Sequence, residues 1–345
     1  MRVPDYRKHA RAAPVEAMVF RLAGSREPML EGLTRWHIAK EYILERAKAG
    51  KGVHALVRSA MKRLGGAYGR REKWRYTKRH SVEVARFVYV MAREAQEHER
   101  GDMLNPRLVF AGGLVHDIGK TFLPIAIMVK ELGIDFGLFT AFRGARLSEA
   151  EKSVLRNEHI ATGTRFIRLF GAGSHIRVML DMAGLHHVNF NGKNSGVPSY
   201  PSLVRGMDLP LHARIAKAAD LISAAMPRHY RSNGYISSLD DSLAHAITVS
   251  GVEVDPFAVQ CFITGHYDAS LEEARALVKR LAPPEGEEAV SDIHSARVYA
   301  KDVVRTDPWF REVVGKRSHV KAEAYCQEIA ECFRYYGIEQ PPEVN

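Results

Sequence analysis

The sequence predicts an all-α protein, and three observations lead to this prediction. Apolar residues recur with the helical period, as Val84, Val88 and Met91 do within residues 80–97. Residues that commonly cap helices, chiefly serine and aspartate, stand just before several of these periodic segments. Alternating β-branched runs bounded by turn residues, the usual sign of strands, do not recur.

The helices can be placed in order along the chain. Residues 36–64 form a weakly amphipathic helix that ends at a Gly-Gly pair, and the next helix begins at His80. Pro106 opens the next helix, which we expect to end near Gly119. Capping boxes and an Asp-Pro pair predict further helix starts at Ser148 with Glu151, Ser238 with Asp241, Ser270 with Glu273, and Asp255 with Pro256.

Composition excludes several classes of protein. The 345 residues are 46% apolar and 26% charged, which are ordinary values for a globular chain. Three cysteines without a CxxC pair do not make a disulfide framework. No apolar run approaches the roughly 20 residues of a membrane span, and no secretory signal is visible at the N-terminus. We therefore expect a cytoplasmic protein.

The positive charge is concentrated in residues 1–79, which hold 20 Lys/Arg and 7 Asp/Glu, whereas the whole chain has a net charge of +10. Six cations lie within residues 70–79, beside Trp74 and Tyr76. This segment is either a patch for nucleic acid or an acidic partner, or simply a solvated helix face. We predict three regions: a basic helical region of unknown role (1–79), a central domain (80–275) and a helical extension (276–345).

Histidine and aspartate residues in the central region carry the chemistry. They are five histidines and two aspartates, namely His80, His116, Asp117, His159, His186, His187 and Asp220. Imidazole and carboxylate ligands without a nearby cysteine favour a dinuclear site of mixed nitrogen and oxygen donors over a structural zinc. Two metals about 3.5–4 Å apart can hold a phosphodiester and activate a bridging water. The histidine pair also opens an irregular segment, residues 186–210, of the kind that often forms functional loops.

The order of these motifs resembles the HD-GYP phosphodiesterase family of the HD metallohydrolase superfamily. The matching pieces are His80, HDIGK (116–120), LSEAEKSVLRNEHIATG (147–163), a His-His pair followed by NG and GVP (186–198), ARIAKAADLISA (213–224) and RHYR (228–231). The resemblance runs from His80 to about Ile263. It implies a helical bundle around a dinuclear metal site, in a signalling enzyme that hydrolyses cyclic dinucleotides, chiefly cyclic di-GMP, through a metal-activated hydroxide.

The resemblance also implies roles for individual residues. The cofactors would be two divalent metal ions, iron or manganese. One metal would be held by His80, His116, Asp117 and Asp220, and the other by His159, His186 and His187, with Asp117 bridging. Lys120 would contact a substrate phosphate and act with Asp117 in catalysis. Arg228 and Arg231 would bind the nucleotide.

The sequence departs from the family pattern around the histidine pair. Val188 replaces a glutamate, Asn191 replaces an aspartate, and Val197 replaces the tyrosine of the GYP motif. Tyr76 stands where trinuclear members carry a glutamate, so we expect no third metal. These departures leave two alternatives open: a catalytically weak nucleotide sensor or docking module, and an HD phosphohydrolase that acts on another nucleotide. We also consider a homodimer, formed through the C-terminal extension or through residues 1–79.

Overall fold

The computed structural model describes residues 52–66, 76–98, 104–123, 127, 147–193, 204–225, 238–282, 293–315 and 319–339. Within these ranges the chain forms twelve α-helices and two short 3₁₀ helices, and it contains no strand, which confirms the all-α prediction. The 3₁₀ helices are Ile118–Phe122 and Gly206–Asp208. The α-helices are α1 (Val53–Gly66), α2 (Tyr76–Glu97), α3 (Pro106–Val115), α4 (Glu149–Arg168), α5 (Ser174–Leu185), α6 (Leu211–Ala225), α7 (Leu239–Thr248), α8 (Pro256–His266), α9 (Leu271–Leu281), α10 (Ile293–Thr306), α11 (Pro308–Gly315) and α12 (His319–Tyr336).

The predicted caps form where local chemistry requires them. Reciprocal capping boxes join Ser148 with Glu151 and Ser270 with Glu273. The Ser238 hydroxyl accepts from the amide of Asp241, and the Asp255 carboxylate accepts from the amide of Phe257. Each cap satisfies an amide that has no partner inside its own helix, which is why these helix starts can be read from the sequence.

Two helix bounds differ from the predictions. The helix that contains His80 begins earlier, at Tyr76. The helix that opens at Pro106 ends at Val115, before Gly119, because the amide of Lys120 bonds to the Asp117 carbonyl at 2.9 Å and tightens the chain into a 3₁₀ turn. Of the helix predicted over residues 36–64, the described part is α1, which ends at Gly66.

Helix α2 lies at the centre of the described structure. Its Val84 and Val88 belong to one hydrophobic cluster, which α6–α11 complete, whereas Ala85 and Tyr89 belong to a second cluster with α1, α3–α5 and α12. A helix that is buried on most of its circumference is apolar on more than one face, as this one is. Its first turn carries His80, so a helix that contacts both hydrophobic clusters presents the first predicted ligand.

Both outer regions share hydrophobic clusters with the central domain: α1 and α12 belong to the second cluster, and α10 and α11 belong to the first. Leu56 and Leu64 of α1, and Phe333 and Tyr336 of α12, are among the fully buried side chains of the second cluster. The division at residues 79/80 and 275/276 stays a prediction, and both borders fall inside helices, α2 and α9. Among the described helices, we find none with both the length and the apolar character to cross a membrane.

Candidate metal centre

Five separate segments bring the seven predicted ligands to one buried place. His80 lies in the first turn of α2, and His116 and Asp117 follow the end of α3. His159 lies within α4, and Asp220 lies within α6. His186 is the C-terminal cap of α5, and His187 comes directly after it. Five of the seven are buried, and Asp220 and His187 are partly buried.

Glycine residues allow the backbones to approach closely at this place. A Cβ atom on Gly113 would lie 2.6 Å from Cα of Ala85, so α3 packs directly on the backbone of α2. A Cβ atom on Gly119 would lie 1.7 Å from the carbonyl oxygen of His159, so the 3₁₀ turn lies directly on α4. These two contacts place Asp117 between the helices that carry His80 and His159.

The first cluster joins three helices around a pair of carboxylates. Nε2 of His80 lies 2.9 Å from Oδ1 of Asp220, and Nε2 of His116 lies 3.8 Å from the same oxygen. Oδ2 of Asp117 lies 3.6 Å from Nε2 of His80 and 3.5 Å from Nε2 of His116. Two imidazole nitrogens and two carboxylate oxygens therefore converge on one point.

The second cluster consists of histidines and faces the other oxygen of Asp117. Nε2 of His159 lies 3.2 Å from Nε2 of His187. Oδ1 of Asp117 lies 3.8 Å from Nε2 of His159 and 3.7 Å from Nε2 of His186. The two oxygens of one carboxylate thus face two different sets of imidazoles, which is the arrangement of a bridging ligand.

Backbone hydrogen bonds orient three of the imidazole rings. Nδ1 of His116 lies 2.8 Å from the carbonyl oxygen of Gly113, and Nδ1 of His186 lies 3.1 Å from that of Met182. Nδ1 of His159 is bonded in the same way to the carbonyl of Leu155. Because a carbonyl oxygen only accepts, the hydrogen of each neutral ring belongs on Nδ1, and the lone pair of Nε2 points into the centre.

Several buried polar atoms of this centre have no hydrogen-bond partner within the described part of the chain. These atoms show whether the site suits a metal ion. They are Nε2 of His116, Nε2 of His186 and Oδ1 of Asp117. Buried acceptors without partners are costly, and a cation that accepts their lone pairs would remove that cost. Ligand atoms of His159, His186 and His187 lie within 4.8 Å of one another, as do those of His80, His116 and Asp220. The residues therefore fit divalent metal.

Burial and neighbouring charge keep Asp117 and three of the histidines in the protonation states that metal binding requires. Burial lowers the pKa of His159 to about 4 and that of His186 to about 3, and it also lowers the pKa of His187. Although burial opposes ionisation of Asp117, Lys120 and His116 hold the pKa of its carboxyl well below the ordinary value. The carboxylate is therefore charged and the three imidazoles are neutral near pH 7.

We expect the metal-free protein to lose stability in mild acid. Between about pH 7 and pH 5 the unfolded chain takes up protons on histidines whose ordinary pKa is 6.5, whereas His159 and His186 stay neutral in the folded protein. The free energy of unfolding, measured by urea titration, should fall as the pH falls. His116 opposes this trend, because Asp117 and Asp220 outweigh its burial and raise its pKa.

Two variants distinguish the pH dependence caused by the buried centre from that caused by other histidines. His159→Gln should flatten the dependence of unfolding free energy on pH, whereas His175→Gln, at an exposed position, should leave it unchanged. Equal slopes for His159→Gln and for the parent would contradict the assignment of this pH dependence to the buried cluster.

The predicted substrate-binding residues are only partly described. Lys120, whose side chain is about a quarter exposed, pairs through Nζ with Oδ2 of Asp117. Arg228 and Arg231 lie outside the described residues, and so does Val197. Tyr76 is the first residue of α2.

The described part of the 186–210 segment is held by its own polar residues. Oδ1 of Asn191 accepts from the amide of Lys193 at 2.8 Å, and Nδ2 of Asn189 donates to the carbonyl of Lys193 at 2.8 Å. The amide of Asn191 also donates to the carbonyl of Val252 at 3.0 Å. Val188 is buried, with 6% of its surface exposed. Asn191 therefore has a role within the turn that either asparagine or aspartate can fill.

The sequence analysis missed Ser223, which contacts a predicted ligand, and Glu83, which contacts Ser223. Nδ1 of His80 lies 2.9 Å from Oγ of Ser223, and this oxygen lies 3.2 Å from Oε2 of Glu83. Ser223 follows Asp220 by three positions and Glu83 follows His80 by three. This spacing places each of them on the same helix face as its ligand, and it was the signal available in the sequence.

Comparison with known proteins identifies a family model and curated relatives that match the part of the chain around this centre. The family model for the HD domain matches residues 77–225, the part of the chain that carries all seven predicted ligands. Three curated relatives come from Vibrio cholerae serotype O1. A probable cyclic di-GMP phosphodiesterase is 27% identical over 198 residues, which are 54% of this chain and 40% of the relative.

The other two relatives are more distant in identity. A cyclic di-GMP phosphodiesterase is 24% identical over 160 residues, which are 45% of this chain and 28% of the relative. A 3'3'-cGAMP-specific phosphodiesterase 1 is 24% identical over 188 residues, which are 54% of this chain and 38% of the relative. The chain thus matches between 28% and 40% of the length of these relatives.

Proposed function

Because residues 77–225 are an HD domain, we propose that this protein is a metal-dependent phosphodiesterase that hydrolyses cyclic di-GMP or a related cyclic dinucleotide. The observation that carries the proposal is the position of Asp117, whose two oxygens face two clusters of buried imidazoles. A carboxylate that faces two sets of imidazoles can hold two cations close together, as a two-metal phosphodiesterase needs. The names of the Vibrio cholerae relatives support the substrate class.

Each cluster would hold one divalent metal ion. The first would be bound by His80, His116, Asp117 and Asp220, and the second by His159, His186 and His187, with Asp117 shared. Mixed imidazole and carboxylate ligands suit iron or manganese. Two such cations supply Lewis acidity: they lower the pKa of a water and offset the negative charge of a phosphodiester.

The chain's own residues would then orient the substrate and limit access of water. Lys120 carries the ammonium that pairs with Asp117, and its partial exposure leaves it able to reach a phosphate oxygen at the mouth of the site. Arg228 and Arg231 would bind the nucleotide. Burial of His116, His186 and Asp117 excludes bulk water from the centre, which strengthens the attraction between these ligands and a cation.

The proposal is tested by anaerobic incubation with cyclic di-GMP and, separately, with 3'3'-cGAMP. The protein is loaded with Fe(II) or Mn(II), Asp117→Ala is run in parallel, and the products are separated by chromatography. Linear dinucleotide or mononucleotide from the parent alone is the expected result. A parent that holds two metals and leaves both cyclic dinucleotides intact would refute the proposal.

The buried Val188 favours a second candidate, a nucleotide sensor with little turnover. A valine next to the metal ligand His187 can neither accept a hydrogen bond nor orient that imidazole. Such a sensor would bind cyclic di-GMP without forming product, and its binding would persist in Asp117→Ala. Rapid metal-dependent hydrolysis would exclude this candidate.

Asn191 provides a prediction on substrate turnover. We expect Asn191→Asp to leave the rate of cyclic di-GMP hydrolysis unchanged, because an aspartate oxygen can accept the same hydrogen bond from Lys193. Asn191→Ala removes the acceptor and should lower the rate. Steady-state kinetics of both variants check this, and a large gain for Asn191→Asp would show that negative charge at this position acts on the substrate.

The remaining predictions concern location and partners. We propose a cytoplasmic location, as expected for hydrolysis of an intracellular nucleotide signal. Two partner assignments stay predictions: the binding of an acidic partner or nucleic acid by residues 1–79, and a homodimer. Most of the basic segment lies outside the described residues.

A further inference from the structure

His80 is oriented differently from three of the other ligand histidines. His116, His159 and His186 each bond through Nδ1 to a carbonyl of their own segment. Nδ1 of His80 instead lies 2.9 Å from the hydroxyl oxygen of Ser223, a side chain on another helix. A carbonyl forces the hydrogen onto Nδ1, whereas a hydroxyl can either donate or accept. A further group must therefore determine whether the Ser223 hydroxyl donates to His80 or accepts from it.

Glu83 decides it. The hydroxyl of Ser223 donates to Oε2 of Glu83 at 3.2 Å, and Oε1 of Glu83 accepts from Nε of Arg79 at 3.2 Å. A carboxylate only accepts, and the hydroxyl has a single hydrogen, so the serine oxygen accepts from Nδ1 of His80. Ser223 is fully buried, which strengthens the preference for satisfied hydrogen bonds.

Asp220 acts on the other side of the same ring. Its Oδ1 lies 2.9 Å from Nε2 of His80 and would accept a hydrogen carried on that nitrogen. In that tautomer Nε2 has no lone pair to offer a cation. The hydrogen bond to Ser223 therefore competes with the one to Asp220, and it favours the tautomer that can bind metal.

We propose that Ser223 and Glu83 are positioning residues that hold the hydrogen of His80 on Nδ1 and thereby direct the lone pair of Nε2 toward the first metal. This inference rests on the proposed function, since it concerns the orientation of one ligand of that centre. The pair joins α2 to α6, the two helices that supply His80 and Asp220.

The first test measures binding of Mn²⁺ alone by calorimetry and by electron paramagnetic resonance. Ser223→Ala and Glu83→Ala should weaken one of the two sites by about 10- to 100-fold, the usual effect of losing an outer partner of a metal-bound histidine. Glu83→Gln should retain most of the affinity, because its amide oxygen still accepts from Ser223. The double variant Ser223→Ala with Glu83→Ala should be no weaker than Ser223→Ala, because both act through one hydrogen bond.

Ser242→Ala is the matched control. Ser242 is fully buried like Ser223, and its hydroxyl bonds to the carbonyl of Ser238 at the start of α7. Thermal unfolding of the metal-free Ser223→Ala and Ser242→Ala proteins should be similar, while only Ser223→Ala loses Mn²⁺ affinity. Equal losses of affinity in the two variants would indicate a general packing effect and would overturn the proposal.

A second readout needs no metal. Nitrogen-15 NMR of the histidine-labelled, metal-free protein reports the tautomer of His80, whose signals are identified by their loss in His80→Gln. The parent should carry hydrogen on Nδ1, and Ser223→Ala should shift the population toward hydrogen on Nε2. Unchanged Mn²⁺ affinity and an unchanged tautomer in Ser223→Ala would refute the proposal and leave the metal centre standing. A tautomer shift in Ser223→Ala, combined with a parent that binds no Mn²⁺, would support the hydrogen-bond relay and refute the metal centre.

Discussion

Replacement of Asp117 by asparagine is expected to abolish metal binding at both clusters while the metal-free protein stays folded. Asparagine has nearly the same size, but it lacks the negative charge and one of the two acceptor oxygens. Because Oδ1 and Oδ2 of Asp117 face different clusters, no single oxygen can serve both. Metal catalysis contributes several kcal/mol, so hydrolysis should fall by about a thousandfold or more.

The stability of the same variant provides an independent check. The amide nitrogen that Asp117→Asn introduces can donate to Nε2 of His116 or of His186, atoms that have no hydrogen-bond partner within the described part of the parent chain. This new hydrogen bond partly offsets the lost ion pair between Asp117 and Lys120, so urea titration of metal-free Asp117→Asn should still show a cooperative unfolding transition. A folded variant that retains two metals would contradict the bridging role.

Replacement of Gly119 by alanine is expected to have the largest effect of the substitutions that remove no ligand. The added Cβ would lie 1.7 Å from the His159 carbonyl oxygen and 2.9 Å from the Gly163 amide nitrogen. These are backbone atoms, which cannot rotate away as a side chain can. We expect a loss of about 3 kcal/mol in unfolding free energy, at the upper end of the usual cost of overpacking.

The variant should also lose metal, because moving the 3₁₀ turn off α4 separates Asp117 from His159. Mass spectrometry of the purified protein gives the metal content, and urea titration gives the stability. Gly173→Ala is the control, since a Cβ there meets no atom of the described residues within 4 Å. If Gly119→Ala matched Gly173→Ala in both measurements, the close approach of the turn to α4 would not be required.

Much of the fold could be predicted because its determinants are local. Ser148 and Ser270 bond to amides three residues away, and Asp255 caps the helix that directly follows it. The candidate ligands could also be predicted, since imidazole and carboxylate groups without a nearby cysteine are typical of a mixed metal centre, and the fold brings all seven together. The end of α3 was predicted four residues too late, because the tightening at Lys120 depends on the packing of Gly119 against α4.

The amino-acid sequence alone was sufficient to predict most helices, their caps and the residues that could bind metal. Periodicity, capping and donor type act over a few residues and can therefore be read locally. Tertiary structure decided which oxygen of Asp117 faces which histidines and which nitrogen of His80 directs its lone pair into the centre. These depend on contacts between positions far apart in sequence, such as Ser223 with His80, which lie 143 residues apart. Such contacts form only when helices pack, and no local pattern specifies their distance or direction.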